Sequence, residues 1–353
     1  MLVYWTMFAL PAVTALTART REVGQYRFQL WLVLLLAAFT VVIGFRYEVG
    51  GDWYTYEEII SDIYYGDFRN AFAYVDPGFG LLSFVSTRVG LGSLGPMLAC
   101  GAVLMFGIYR FSRKQSDPWL AITAAVPYLI IVVGMGYVRQ AAAIGFLLVA
   151  LTKLEGKSLK GFLSWLAVGA LFHASVLCTL PIVGLAWART RGVAVFVVLA
   201  AATVLTYAFL LRERVDGFLS SYVEAQMDSS GALVRLAMNG IPAAIFLLLR
   251  RFWPMTEDYR FVWTLFAAVA LGMFVVVYYS PATTALDRIG LYFIPIQLFV
   301  FGNIGAIAGR NTAARTMISI GVIAFYAAVL YIWLNFAVHS EYWLPYQVRP
   351  IGG

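Results

Sequence analysis

The chain has 353 residues, 62% of them hydrophobic and only 12% charged, with a mean hydropathy of +0.82. A soluble domain of this length needs more polar surface, and no stretch alternates as a membrane barrel strand does, so the sequence reads as an all-α, polytopic helical membrane protein. The formal charge of +7 would suit a nucleic-acid partner, but the basic residues gather in short connectors between apolar runs, where they act as an orientation signal instead.

In chain order, the first run, MLVYWTMFALPAVTALTART, has no basic residue before its apolar part and carries Arg19 and Arg21 after it. That order predicts a retained span with its N-terminus outside, not a cleaved signal peptide. Further spans are predicted near 29–45, 94–110, 119–135, 138–153, 161–173, 174–187, 193–211, 232–249, 260–279, 286–306 and 315–336. With the first, near 3–18, they make twelve crossings in one integral membrane domain, 1–353, with both termini outside. The connectors with Arg19/Arg21/Arg27, Arg110/Arg113/Lys114, Lys153/Lys157/Lys160, Arg189/Arg191, Arg250/Arg251/Arg260 and Arg310/Arg315 hold 16 of the 25 Lys and Arg, every lysine included. The positive-inside rule assigns them to the cytoplasm, which leaves 46–78, 212–231 and the tail 337–353 outside. Residues 77–92, PGFGLLSFVSTRVGLG, are too short and glycine-rich to cross, and read as an interfacial or re-entrant helix on the outer side. The run 161–187 would be about 40 Å long as one helix. As two half-depth helices with His173 at the tip, it keeps the later basic connectors inside. Cys100 and Cys178 lie within apolar runs and read as small buried hydrophobes, with no disulfide expected.

Polar residues are rare enough to be informative. The connector FRYEVGGDWYTYEEIISDIYYGD, residues 45–67, holds six of the eighteen acids among five tyrosines and a tryptophan. Its rings match both an interfacial aromatic belt and the faces on which proteins stack sugars. Three arginines stand at helix ends beside tyrosines: Arg46 next to Tyr47, Arg139 two after Tyr137, and Arg288 a turn before Tyr292. An arginine inside a span costs roughly 2.5–3.5 kcal/mol, so each either snorkels to headgroups or meets an anion. Arg139, in GMGYVRQAAAIGF, is predicted at the apex of a tight hairpin, where a planar guanidinium suits a phosphate or diphosphate. His173 is either a packed imidazole or a base or phosphate partner. Asp52, after Gly50 and Gly51, suits an N-cap, and a helix begun there brings Tyr56 onto the same face. Asp76 before Pro77 and Asp117 before Pro118 both read as caps followed by proline at the first helical position. Neither a phosphate-binding glycine loop, an Asp-x-Asp pair, a zinc-spaced His/Cys set nor a recognisable Ser/His/acid triad is present, so no cofactor or metal is expected.

Taken together and in order, RYEVGGDWYTY, DPGFGLL, GYVRQAAAIGFLLVAL, LFHASVLCTLPI, LDRIGLYF and WLPYQ resemble the EpsG family of bacterial polysaccharide polymerases, relatives in role of the Wzy O-antigen polymerases. The resemblance runs from the second helix to the tail, although 193–280 carries no matching motif. It implies metal-independent joining of oligosaccharide repeat units carried on undecaprenyl diphosphate, at the outer face of the bacterial inner membrane. The implied partners are that lipid-linked oligosaccharide, membrane lipids and other assembly proteins such as a flippase and a chain-length regulator, with no nucleic acid. The positions that match are Arg46, Gly50, Asp52, Tyr56, Asp76, Arg139, Gln140, His173, Ser175, Asp287 and Arg288. Arg139 would then serve catalysis with Asp52 or His173 as base, Asp52 being favoured. Arg46, Tyr56, Asp76, Gln140, Asp287, Arg288 and Tyr292 would bind substrate, and the acidic, aromatic connector would form a sugar-facing lip. A flippase of lipid-linked glycans and an envelope glycan ligase or acyltransferase stay open beside this reading.

Overall fold

The computed structural model describes residues 1–17, 25–73, 75–192, 197, 231–280, 283–309 and 311–349. Among them the regular structure is helical, apart from one isolated antiparallel bridge between Arg46 and Val348. The helices in chain order are α1 (Leu2–Thr17), α2 (Gln25–Gly44), α3 (Trp53–Tyr65), α4 (Asn70–Ala73), α5 (Pro77–Arg88), α6 (Leu94–Ser112) and α7 (Pro118–Ala125). A π-helical run, Val126–Val133, leads into α8 (Gly134–Gly136), followed by α9 (Val138–Glu155), α10 (Leu159–Ala170) and α11 (Leu180–Arg191). The last five are α12 (Ala232–Leu249), α13 (Glu257–Val276), α14 (Thr283–Gly290), α15 (Pro295–Ile307) and α16 (Thr312–Phe336).

The chain divides into two compact units, one of Met1–His173 with Arg310–Gly353 and one of Ala174–Gly309. In the first, α9 is the central helix, buried along nearly its whole length between α6 and α10. Its small residues permit that. A β-carbon built on Gly107 of α6 would lie 2.2 Å from the carbonyl oxygen of Gly145, so the two backbones touch. Helix α2 packs on α6, while α1 and α16 pack on α7. Pro127, which lacks an N–H and whose ring crowds the preceding turn, opens the π-helical run, where Gly134 N–H reaches back five residues to Leu129. In the second unit α12 packs on α13, α14 and α15, and α11 packs on α13.

Among the described residues five helices are long and apolar enough to cross a bilayer: Leu94–Ser112, Pro118–Gly136, Ala232–Phe252, Glu257–Val276 and Thr312–Phe336. The pair Thr283–Phe293 and Pro295–Ile307, bent by 45°, would make a sixth. The remaining apolar helices, Leu2–Thr17, Gln29–Gly44, Leu159–Ala170 and Ala174–Trp187, are shorter. At 1.5 Å per residue, about 20 residues are needed to cross the hydrocarbon core, so the described helices supply fewer full crossings than the twelve expected. Helix α9 spans eighteen residues but carries Arg139, Lys153 and Glu155. All but Val197 of the expected span 193–211, Arg19, Arg21, Arg310, all but Gly231 of the loop 212–231, and tail residues 350–353 lie outside the described residues. At 161–187 the chain breaks at 171–173 into two short helices, and α5 is likewise too short to cross. Cys100 and Cys178 are both free thiols.

Candidate functional site

The connector after α2 folds as its pattern dictates. In α3 the residues Trp53, Tyr56, Ile60 and Ile63 recur at helical spacing and are buried, while Tyr54, Glu58, Asp62, Tyr64 and Tyr65 face outward. The buried face joins Phe79, Met97, Cys100, Val138 and Ala142 in one core, which fixes α3 against α5, α6 and α9.

That packing delivers four polar groups to one place. Tyr137 breaks the backbone between α8 and α9, so Arg139 stands in the first turn of α9. Its Nη1 donates to Asp76 Oδ2 at 2.9 Å, and the two side chains are 28% and 6% exposed. The Arg139 backbone N–H donates to the Tyr56 hydroxyl at 3.5 Å. Arg139 Nε is buried yet has no acceptor. Asp52 stands one turn before Tyr56, whose backbone N–H bonds the Asp52 carbonyl at 3.1 Å. Burial pushes the Tyr56 phenol up; Arg139 opposes this and the Asp52 charge adds to it. Tyr56 is therefore a neutral phenol that accepts from Arg139 and lies within the field of the Asp52 charge. The first-turn N–H groups of α9 give this end of the helix a positive potential, which Arg139 reinforces.

The aspartates correct the sequence reading. Asp117 caps α7 as expected, its Oδ1 accepting from Leu120 N–H at 3.0 Å. Asp76 holds the N-cap position of α5, with Pro77 after it, but makes no capping bond. Its carboxylate turns to Arg139 instead, because a charge-assisted bond to a half-buried guanidinium outweighs one to a backbone N–H. Asp52 likewise occupies the N-cap position of α3 without a side-chain capping bond.

His173 is half-buried in the turn after α10. Gly78 N–H donates to Leu171 O at 2.7 Å, so the start of α5 lies against the turn that ends in His173. A β-carbon on Gly78 would sit 2.9 Å from that oxygen, so the contact depends on glycine. Gln140 is buried beside Arg139.

Arg46 has a different position. Its side chain is fully buried, with Nε donating to Val49 O at 3.0 Å, Nη1 to Ile43 O at 2.6 Å and Nη2 to Met97 Sδ at 3.2 Å. The guanidinium also lies 5.4 Å from the Trp53 ring centroid. Burial pushes it down to about 10, so it stays protonated at neutral pH. In this geometry it faces protein acceptors and closes the carbonyl end of α2.

The second unit holds Asp287, Arg288 and Tyr292. Both Asp287 oxygens accept from Arg235, at 2.8 Å from Nε and 2.8 Å from Nη2. One turn along α12, Asn239 Nδ2 donates to Gly290 O at 2.8 Å and its Oδ1 accepts from Gln297 Nε2 at 2.7 Å. Tyr292 is buried and Arg288 half-buried. Arg235, Asn239 and Gln297 are not among the residues expected from sequence. Their signal was the i, i+4 spacing of Arg235 and Asn239 in an otherwise apolar helix, which marks one polar face. Among the described residues no three His, Cys, Asp or Glu side chains form a group that could hold a metal ion.

A family model described as the EpsG family matches residues 29–348. No curated protein and no solved structure matches the chain.

Proposed function

The chain belongs to the EpsG family of polysaccharide-polymerase-like membrane proteins, and on that premise we propose that it is a glycosyltransferase polymerising lipid-diphosphate-linked repeat units. The donor is an oligosaccharide on undecaprenyl diphosphate, and the product an exopolysaccharide, capsule or O-antigen. The basic connectors favour a site on the outer face of the bacterial inner membrane, with both termini outside. Other assembly proteins, a flippase and a chain-length regulator, would supply the donor and set product length.

The observation that carries this reading is Arg139. It is fixed by Asp76 and Tyr56 at the positive end of a helix, with one buried donor unfilled. A fixed fork with a spare N–H suits a leaving diphosphate, whose charge grows as the sugar C1–oxygen bond breaks. As that bond breaks, the acceptor hydroxyl oxygen bonds to C1, its proton passes to Asp52, and the lipid diphosphate departs with the electron pair. Asp52 is the favoured base because it stands one helical turn before Tyr56, whose hydroxyl accepts from the Arg139 N–H. His173, next to the start of α5, is the alternative. Arg46 supports the connector, and the outward tyrosines and acids of α3 offer stacking and hydrogen bonding to sugars.

The test is chain extension of a synthetic undecaprenyl-diphosphate repeat unit by purified protein in proteoliposomes. Arg139→Lys keeps the charge but loses the fork, and is expected to lose about 10²–10³-fold in turnover while folding normally. Wild-type protein that moves the lipid across the bilayer without extending it would replace the polymerase with a flippase.

A further inference from the structure

The motif WLPYQ, residues 343–347, takes no part in the chemistry above, yet the residues that hold it converge on the site. We infer that Trp343 is a positioning residue, a wedge that sets the spacing between the Asp52 and Arg139 segments. The inference rests on the proposed roles of those two residues.

Trp343 is 3% exposed and held from four directions. Its indole Nε1–H donates to Ile131 O at 3.1 Å, in the π-helical run. Its carbonyl accepts from the Tyr4 hydroxyl of α1 at 2.7 Å, and its ring meets Trp333 of α16 edge-on at 5.1 Å. The outer edge of the six-membered ring then meets two glycines. A β-carbon on Gly136, three residues before Arg139, would lie 2.7 Å from Cζ2 and 3.0 Å from Cη2. One on Gly51, next to Asp52, would lie 3.8 Å from Cη2.

The surrounding tail fixes the segment before Asp52, and that segment abuts the one before Arg139. Gly50 N–H donates to Tyr342 O at 2.8 Å, Tyr47 N–H to Gln347 O at 3.0 Å, and Arg349 N–H to Phe45 O at 2.9 Å. Gly50, at φ +108°, lies so close to α8 that a β-carbon would fall 2.3 Å from Met135 O. Three glycines thus strip the side chains from the contact, and one rigid ring fills the space they leave. A purely structural tryptophan needs a pocket; this ring instead contacts the residue before the proposed base and the turn before the proposed cation.

Phenylalanine at 343 lacks the outer ring edge and the Nε1–H, so it leaves a gap at Gly136 that an alanine methyl fills. The experiment is a cycle of Trp343→Phe, Gly136→Ala and the double variant, with chain extension and thermal unfolding measured in proteoliposomes. Misplacement by a fraction of an ångström lowers kcat in Trp343→Phe by about 10- to 100-fold with KM unchanged. The lost bond to Ile131 O and the gap lower the unfolding temperature, and adding Gly136→Ala restores part of both. Gly136→Ala alone, forced against the ring, is also impaired, and the double variant regains turnover lost by Trp343→Phe. Full kcat in Trp343→Phe overturns the inference. So does a parallel loss of kcat and unfolding temperature that Gly136→Ala does not repair. Asp52→Asn and Arg139→Lys run alongside, and full activity in both places the failure in the site assignment. Hydrogen exchange over 50–56 and 135–141, measured without substrate, then decides the wedge. Faster exchange in both segments of Trp343→Phe supports it, and unchanged exchange overturns it.

Discussion

Arg46 separates a buried scaffold from a substrate contact, because the two roles give opposite results for Arg46→Met. The guanidinium satisfies Ile43 O and Val49 O, neither of which the substitution removes. Each carbonyl left buried without a donor costs about 1–3 kcal/mol, and loss of the desolvated contact with Trp53 adds about 1–2 kcal/mol. Removing a buried cation returns several kcal/mol of desolvation, so the net destabilisation is about 2–4 kcal/mol. Arg46→Lys retains one donor group, too compact to span both carbonyls, and falls between. The assay is the unfolding midpoint of purified protein in mixed micelles, set beside KM for the lipid-linked donor in the folded fraction. The expected result is a lower midpoint with unchanged KM. A variant as stable as the wild type whose KM rises about tenfold, equivalent to 1.4 kcal/mol of binding, would refute the buried role and return Arg46 to the substrate.

Asp52→Asn keeps the shape of the side chain but cannot take a proton, and is expected to abolish chain extension while retaining lipid binding; His173→Gln is expected to turn over measurably. Wild-type extension by Asp52→Asn with a dead His173→Gln would reverse the two assignments. Gly78→Ala places a methyl 2.9 Å from Leu171 O, so the start of α5 must shift, costing about 1–3 kcal/mol and lowering turnover. An unchanged unfolding midpoint would mean that the contact yields without strain. Arg235→Met leaves Asp287 without its bidentate partner; with the pair partly exposed, the cost is about 2–4 kcal/mol. Arg235→Met/Asp287→Leu is expected to recover most of it in the same unfolding assay, since no stranded charge remains.

The sequence by itself determined the class and the actors. Apolar runs dictated membrane helices, helical spacing set which face of α3 would be buried, and the ordered motifs identified the family. It also brought forward Asp52, Tyr56, Asp76 and Arg139, which the structure gathers in one unit. Their relations were decided by tertiary structure. Asp76 and Asp117 share the same Asp-Pro signature, yet of the two Asp117 caps its helix while Asp76 is drawn into an ion pair with Arg139 at 2.9 Å. Arg46 reads as a helix-end cation, but folding turns it onto its own neighbours' carbonyls and onto Met97, fifty-one residues away, and so buries it completely. The ladder of Arg235, Asn239 and Gln297 emerges only when α12, α14 and α15 meet. Trp343 lies more than two hundred residues from the glycines it contacts. Periodicity and composition encode which side of a segment leaves water, since that depends on neighbours within a turn or two. Which distant group completes a hydrogen bond, neutralises a charge or fills the space above a glycine depends on packing, and packing exists only once the chain has folded.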